Sequence, residues 1–480
     1  MSEIPPSPSQ PSAFAFYGEM DGAPLSRHLQ CEIREWSVLA IGALAVAGVF
    51  AFFLALSRIP GIQDLFPWPL EFFHKGLVIH VVFSLVVWFL AVFGGSLSLS
   101  VHRVSAGTPR FNGLGHLARL GVALSFAFLS LPALLDRGDP VLNNYVPVII
   151  DPLYYLGLIF LGGGVMLAVT RLLLNLACRR QPLDLMAFIM ACAAVIYLLV
   201  LVCLALALWQ LRNEELSHAF NEVLFWGGGH VMQFVNLALL LAAWYLLAGR
   251  GLGKPVGGTG LFAVAVALLV IFALPAPVFY FVFDSFSVAQ AKAFTDLQYA
   301  FAPPALIAAT AIVTAIARHR REAGTLPWEN PAFLCLVLSV VVFGVGGFMG
   351  LFVDGADTRT TAHYHGVIAG INLAFMGLFF CLFLPLQNRP VNRGKALYAQ
   401  IYLFGTGQLM AVAGLFLAGH FGTPRKTAGA AQGLEEIGAK IGMYLNGIGA
   451  LIAVIGGVMF IYTVAAALLR KPPAAAQENL

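Results

Sequence analysis

Charged side chains are scarce in this sequence. Asp, Glu, Lys and Arg make up 10% of its 480 residues, whereas 60% are hydrophobic; an ordinary soluble domain is about 25% charged. A soluble fold of this length has too little interior to hide so much apolar surface, so much of that surface must face membrane lipids. The composition therefore excludes a soluble globular protein, and the small net charge of +4 does not indicate a nucleic-acid partner.

Cysteine is also sparse and shows no motif spacing. The six cysteines are scattered, with no C-x-x-C and no C-x-x-C-H, which excludes a cysteine-based zinc or iron–sulfur site and a covalently attached c-type heme. The stretch from Met1 to Leu25 has no apolar run, so no cleavable signal peptide is predicted. We expect a disordered cytoplasmic tail over 1–30, one membrane domain over 31–470 and a C-terminal tail over 471–480.

Twelve apolar segments are long enough to cross a membrane as helices, which takes about 20 residues. Backbone polar groups in lipid must pair within the chain, so an all-α polytopic bundle is predicted. No internal repeat is visible, which disfavours a transporter. Loop Lys and Arg residues are more numerous on the side that carries both termini, which predicts cytoplasmic termini in a bacterial-type inner membrane. The predicted spans are Trp36–Ser57, Leu77–Ser100, Leu114–Leu135, Leu153–Leu174, Leu185–Leu211, Phe220–Leu247, Leu261–Phe283, Tyr299–Ala317, Phe333–Val353, His363–Leu384, Ala396–Leu417 and Ile441–Leu469.

Four histidines are predicted at one depth, in the outer halves of three spans. His80 lies near the start of span two, His230 lies inside span six, and His363 and His365 open span ten. Ionisable side chains inside a membrane are costly and mark functional sites. Imidazole is a common axial ligand of heme iron, whereas the alternative reading is polar contact between helices.

The H-Y-H spacing in span ten adds a geometric argument. Two residues apart on a helix, the imidazoles of His363 and His365 point about 200° apart. They therefore face opposite sides, and one helix could hold a heme on each flank.

Three motifs resemble the catalytic subunit of the heme-copper oxidase superfamily, which has twelve core spans. The segment H-V-V-F-S-L-V-V-W-F-L-A-V-F-G-G, from His80, resembles the low-spin heme ligand helix, particularly that of nitric oxide reductases. F-W-G-G-G-H, ending at His230, is similar to the segment that carries the first histidine of the copper or iron site. T-A-H-Y-H-G, from Thr361, is similar to the double heme-ligand motif.

The resemblance implies two hemes, one low-spin and one high-spin. His80 and His365 would hold the low-spin heme, and His363 would be the axial ligand of the high-spin heme. Arg425 and Lys426 lie where the family keeps a basic pair for the heme propionates. The resemblance also implies a small gas molecule as substrate, with electrons from a cupredoxin or cytochrome c partner subunit.

The sequence departs from the family at the second metal, copper or non-heme iron. The family completes that site with two adjacent histidines, but this chain has no His-His, and Phe279 and Tyr280 stand near those positions. A single histidine is not a metal site. Gln233, Tyr280 and Asp284 are conceivable partners of His230, and the second metal stays doubtful. Many oxygen reductases also have a tyrosine where this chain has Phe234.

Three functional hypotheses follow. The first is a heme oxidoreductase that reduces nitric oxide rather than oxygen, with His363, His230, Tyr280, Asp284 and Glu222 as catalytic residues. The second is a non-catalytic heme subunit for electron transfer, sensing or assembly that has lost the second metal. The third is a transporter or channel without heme, which would be colourless when purified.

The sequence predicts that turnover does not pump protons. No acidic residue or lysine is visible deep in the inner halves of the predicted spans, whereas Glu222 and Asp284 could relay protons from outside. In sealed vesicles with electrons supplied outside, we expect external alkalinisation during turnover that is insensitive to a membrane potential. Net external acidification, after correction for the chemistry itself, would contradict this.

Overall fold

The computed structural model describes residues 26–57, 70–179, 183–253, 258–353, 355–425, 427 and 432–470, with side chains up to residue 50 in the first range and from residue 74 in the second. Within these ranges lie twelve helices long and apolar enough to cross a membrane, which confirms the predicted all-α bundle. The first helix begins at Arg27, inside the predicted tail. The rest of the two predicted tails lies outside the described residues, apart from Ser26.

We number the spans α1 to α12, and five of them change helix type along their length. In α2 and α10 a π-helical turn interrupts the α-helix, and α7, α8 and α9 contain a short 3₁₀ segment. The bounds are α1 Arg27–Ser57; α2 Leu70–Val81, Val82–Val87 (π) and Trp88–Val104; α3 Asn112–Leu134; α4 Pro152–Ala177; α5 Leu185–Gln210; α6 His218–Leu252; α7 Thr259–Ala273, Ala276–Val278 (3₁₀) and Phe279–Val282; α8 Val288–Leu297, Gln298–Phe301 (3₁₀) and Ala302–Ala323; α9 Pro331–Met349 and Gly350–Phe352 (3₁₀); α10 Thr358–Leu378, Phe379–Phe383 (π) and Leu384–Leu386; α11 Lys395–His420; and α12 Ile437–Leu469.

Several helices begin earlier than their apolar runs predict, because polar caps start them. Asp357 caps α10 by accepting a hydrogen bond from the Arg359 amide at 2.8 Å. Ser287 caps α8 by accepting one from the Gln290 amide at 3.1 Å. A capping side chain satisfies amides that have no partner in the first turn. The prediction that His363 opens span ten is therefore wrong, since α10 already begins at Thr358.

A short hairpin between α3 and α4 has no counterpart in the prediction. Strands β1 (Asp139–Val141) and β2 (Val148–Ile150) pair antiparallel. At the tip, the Asn143 side chain accepts hydrogen bonds from the amides of Tyr145 and Val146. These local hydrogen bonds set the conformation of the tip, which no hydrophobic periodicity in the sequence predicts.

Glycines bring sequential helices into backbone contact at three places. Lipid gives helices little hydrophobic reason to associate, so small residues that permit close packing decide which faces meet. The close pairs are Gly121 with Gly164 between α3 and α4, Gly346 with Gly366 between α9 and α10, and Gly407 with Gly449 and Gly414 with Gly442 between α11 and α12.

Charged side chains are buried together at the end of the bundle that carries the N-terminus. Glu32 of α1 is 1% exposed, and Arg171 Nη1 of α4 donates to both of its carboxylate oxygens, at 2.8 and 3.0 Å. Arg119 of α3 binds Glu32 and Glu35. Glu32 precedes the predicted first span, Trp36–Ser57, and lies in the first turns of α1. The arginines that compensate its charge are distant in sequence, so no pattern around Glu32 predicts them.

The contact between α11 and α12 predicts a position-specific cost. A methyl group at Gly414 would overlap the backbone of Gly442 and Asn446, whereas nothing lies within 4 Å of one at Gly447. We expect Gly414→Val to lower the free energy of unfolding by about 1–3 kcal/mol through overpacking, and Gly447→Val to change it little. Thermal unfolding in detergent measures both. Equal losses in the two variants would contradict this packing.

Candidate functional site

Three of the four histidines are anchored by the same hydrogen bond. The Nδ1 atoms of His80, His230 and His363 lie 2.9, 2.7 and 2.8 Å from the carbonyl oxygens of Ala47, Trp226 and Gly346, respectively. A carbonyl can only accept, so Nδ1 carries the proton and Nε2 presents its lone pair. This tautomer and fixed ring orientation are typical of metal-ligating histidines.

His80 and His365 come together from α2 and α10. The two imidazoles lie close enough that a charge on one would act on the other, although the residues are far apart in sequence. His365 is exposed, whereas Ala362 and Gly366 on the same helix are buried, so a planar group has access to its ring. A π-helical turn begins at Val82, directly after the α-helical segment that carries His80, and such turns are frequent at functional sites.

His363 faces a different helix. Its ring packs against α9, where a side chain at Gly350 would come within 2.7 Å of Nδ1, and its Nδ1 bonds the Gly346 carbonyl of the same helix. The two histidines of the H-Y-H motif thus face different neighbours, as their spacing predicts. The donor sets on both flanks of α10 fit axial ligation of a heme.

A loop after α11 brings a cation to this end of the bundle. Pro424 forms a β-bridge with Asp357 at the start of α10, and the Thr358 amide donates to the Thr423 carbonyl at 3.0 Å. Arg425 Nη2 donates to Asn144 Oδ1 at 3.1 Å. Its guanidinium also interacts electrostatically with Tyr145 and with Tyr364 of the H-Y-H motif. Lys426 lies outside the described residues.

The W-G-G-G-H motif of α6 builds the surroundings of His230. Each glycine leaves space for a side chain from a different element: the Tyr280 hydroxyl and Phe294 at Gly227, Leu204 at Gly228, and Tyr145 at Gly229. An added methyl group would overlap these side chains. The glycines therefore let α5, α7, α8 and the hairpin tip close around one turn of α6.

Aromatic rings surround the imidazole of His230. Ring centroids of Tyr145, Trp226 and Phe294 lie 4.5, 4.8 and 6.1 Å from that of His230, and His230 is 2% exposed. No sequence pattern indicates Tyr145, because the hairpin that carries it has no periodic signal.

The predicted partners of His230 are dispersed. Gln233 donates to the Gly229 carbonyl and accepts from Asn236, so its amide is used within α6. Asp284 is exposed in the turn after α7. Tyr280 is 3% exposed, and its hydroxyl has no hydrogen-bond partner among the described residues. One imidazole and one phenol do not fit a conventional second metal site, which takes several imidazole ligands.

Glu222 connects this aromatic pocket to a cavity of about 720 Å³ at the same end of the bundle. The cavity is lined in part by His74, Asp139, His218 and Glu222, and Glu222 interacts electrostatically with Tyr145. Burial raises the pKa of the Tyr145 hydroxyl above its ordinary value, Glu222 raises it further, and Arg425 opposes both. Tyr145 is therefore a neutral hydrogen-bonding group at ordinary pH.

The described part of the chain is a bundle of twelve helices long and apolar enough to cross a membrane, with the anchored imidazoles near one end. The family model for cytochrome c and quinol oxidase polypeptide I matches residues 33–452, so the chain belongs to that family. This is the catalytic subunit family of the heme-copper oxidases, and it makes the chain an integral membrane protein of a heme-binding oxidoreductase family.

Its relatives are divergent. An uncharacterized protein of Aquifex aeolicus is 31% identical over 348 residues, 72% of this chain and 83% of that protein. Cytochrome c oxidase subunit 1 of Thermus thermophilus is 22% identical, covering 91% of this chain and 84% of that protein. A solved heme-copper terminal oxidase dimer matches with a TM-score of 0.75 at 18% identity, covering 93% of this chain and 85% of that one.

The contact of Tyr145 with His230 predicts chemical protection. In the wild type, we expect His230 to resist diethylpyrocarbonate because its ring is covered, and we expect Tyr145→Ala to make it reactive. Peptide mass spectrometry measures the modification, and the exposed His218 serves as the internal control that reacts in both proteins. Equal modification of His230 in both proteins would contradict the covering role of Tyr145.

Proposed function

We propose that this chain is a membrane heme oxidoreductase subunit that reduces a small gas molecule, with nitric oxide favoured over oxygen. His80 and His365 would hold a low-spin heme for electron entry, and His363 would hold a high-spin heme. His230 would lie where the gas binds. The observation that carries the proposal is the shared Nδ1–carbonyl anchoring of His80, His230 and His363, which leaves each Nε2 available.

The hemes, when bound, supply electron transfer and the iron that binds the gas. The chain's own residues position and shield them. The carbonyls of Ala47 and Gly346 fix the ligand rings, and Trp226, Tyr145 and Phe294 exclude water from His230. Arg425 and Lys426 would pair with heme propionates through charge-assisted contacts.

Nitric oxide is favoured by the groups around His230. Phe234 stands where the commonest oxygen reductases have a tyrosine. Tyr280 is the polar side chain that α7 contributes beside Gly227 of α6. Protons come from outside through Glu222, which lines the outer cavity and interacts with Tyr145. Asp284, exposed on the same side, is a second proton donor in this proposal.

Electrons come from a partner subunit with a cupredoxin or cytochrome c domain; heme-copper oxidases in general work with such partners. We place the chain in a bacterial-type inner membrane with both termini cytoplasmic. The excess of Lys and Arg in the loops on that side supports this orientation.

A non-catalytic heme subunit is the second candidate. The aromatic surroundings of His230 favour it, because Tyr145, Trp226 and Phe294 offer a second metal carbon atoms or a weak phenol rather than imidazoles. Such a subunit would bind nitric oxide or carbon monoxide without turnover.

Heme content of purified variants tests the ligand assignment. We expect two hemes per chain in the wild type, and His80→Ala should lose the low-spin signal while keeping the high-spin one. His365→Ala should behave in the same way, and His218→Ala, an exposed histidine, should keep both hemes. Unchanged heme content in both His80→Ala and His365→Ala would show that the assignment is wrong. Turnover of nitric oxide by the wild type then distinguishes the two candidate functions, because a non-catalytic subunit would bind the gas without turnover.

Metal analysis tests the second site. With one imidazole in the aromatic pocket, we expect less than one copper per high-spin heme and no metal loss in His230→Ala. One copper per high-spin heme, lost in His230→Ala, would overturn this expectation and favour oxygen as the substrate.

A further inference from the structure

Three potential metal ligands meet at the end of the bundle opposite the anchored histidines. His28 and Glu32 are one turn apart on α1, and His102 is near the end of α2. His28 Nε2 lies 3.2 Å from Glu32 Oε1, and His102 Nε2 lies 3.4 Å from Glu32 Oε2. Each residue offers a ligand atom within 4.8 Å of the others.

His102 is the unexplained member of this group. It is 1% exposed, its Nε2 pairs with the Glu32 carboxylate at 3.4 Å, and its Nδ1 makes no hydrogen bond within the described part of the chain. A buried polar group without a partner is costly, and natural folds rarely keep one without a reason. Its Nε2 is directed toward the Glu32 carboxylate.

We propose that His28, Glu32 and His102 bind one zinc ion. Zinc takes imidazole nitrogen and carboxylate oxygen at about 2.0–2.2 Å in tetrahedral geometry, so adjacent ligand atoms lie roughly 3.4 Å apart. The separations of 3.2 and 3.4 Å, which run to different oxygens of the Glu32 carboxylate, are compatible with that spacing. Two imidazoles and a single carboxylate suit zinc better than magnesium or calcium, which prefer several oxygen ligands.

The open side of the site provides the fourth ligand position. The His28 side chain is 43% exposed, whereas those of Glu32 and His102 are buried. Water can therefore reach the zinc from the His28 side. The same exposure provides a path for the ion to enter.

The neighbouring arginines orient the carboxylate and limit the affinity. Arg171 donates to both Glu32 oxygens and Arg119 lies 3.3 Å from one of them, as outer groups do for metal-binding carboxylates. The charges of Arg119 and Arg171 are balanced by those of Glu32 and Glu35, so the zinc charge has no further partner in the cluster. Binding is therefore weaker than at a structural zinc site with cysteine ligands, and the ion exchanges with the aqueous phase.

The site would cross-link the beginning of α1 to the end of α2. Glu32 also ties α1 to α3 and α4 through Arg119 and Arg171, so zinc would brace four spans at this end. Zinc should raise the melting temperature, because an ion that binds only the folded chain stabilises the folded state.

Equilibrium dialysis of the metal-stripped, full-length protein against zinc tests the proposal, with bound zinc and heme measured in every variant. We expect one zinc in the wild type and at least a tenfold lower affinity in His28→Ala and His102→Ala. His116→Ala removes an exposed histidine of α3 at the same end and should bind zinc as the wild type does. X-ray absorption at the zinc edge should show two imidazole nitrogens at about 2.0–2.1 Å.

Because His28 is on the surface, His28→Ala should fold even if His102→Ala does not. Zinc affinity in His28→Ala equal to that of the wild type would overturn the proposal, as would an absorption spectrum without imidazole ligands. A melting temperature that zinc raises equally in His28→Ala and the wild type would also overturn it. None of these results depends on whether the anchored histidines hold hemes.

Discussion

Close approach of helix backbones is the constraint on which the histidine site depends. His363 can bond the Gly346 carbonyl because α9 and α10 meet at Gly346 and Gly366 without side chains between them. In a bilayer, packing of small residues rather than a hydrophobic drive selects such contacts. The glycines therefore let the two backbones approach, and this places the Gly346 carbonyl within hydrogen-bond distance of the His363 imidazole.

The same constraint explains the composition of the W-G-G-G-H motif. A side chain at Gly227, Gly228 or Gly229 would overlap a residue of another element, so these positions of α6 require glycine. The side chains that pack against the glycines are mostly aromatic, and they make the surroundings of His230 apolar. The lone pair of His230 Nε2 then has few polar neighbours to compete with a bound molecule.

Polar groups are concentrated near the two ends of the bundle, and they serve different purposes. At the end with the anchored histidines, the hairpin tip and the loop after α11 add Tyr145 and Arg425. At the other end, Glu32, Arg119 and Arg171 compensate one another between α1, α3 and α4. Breaking a buried pair of this kind costs about 3–5 kcal/mol, because the remaining charge is left without a partner.

The sequence by itself determined the helical class, the twelve spans and the anchored histidines, because apolar length and ionisable side chains inside it are local properties of the chain. It also predicted that His363 and His365 face different sides, since two residues on a helix fix that angle. Tertiary structure alone decided which carbonyls anchor His80 and His363, and that Tyr145 covers His230. It alone brought Glu32 beside Arg171 and His102, and left Asp284 in an exposed turn. These facts depend on contacts between segments far apart in sequence, and no periodic pattern within one segment records where another segment will pack.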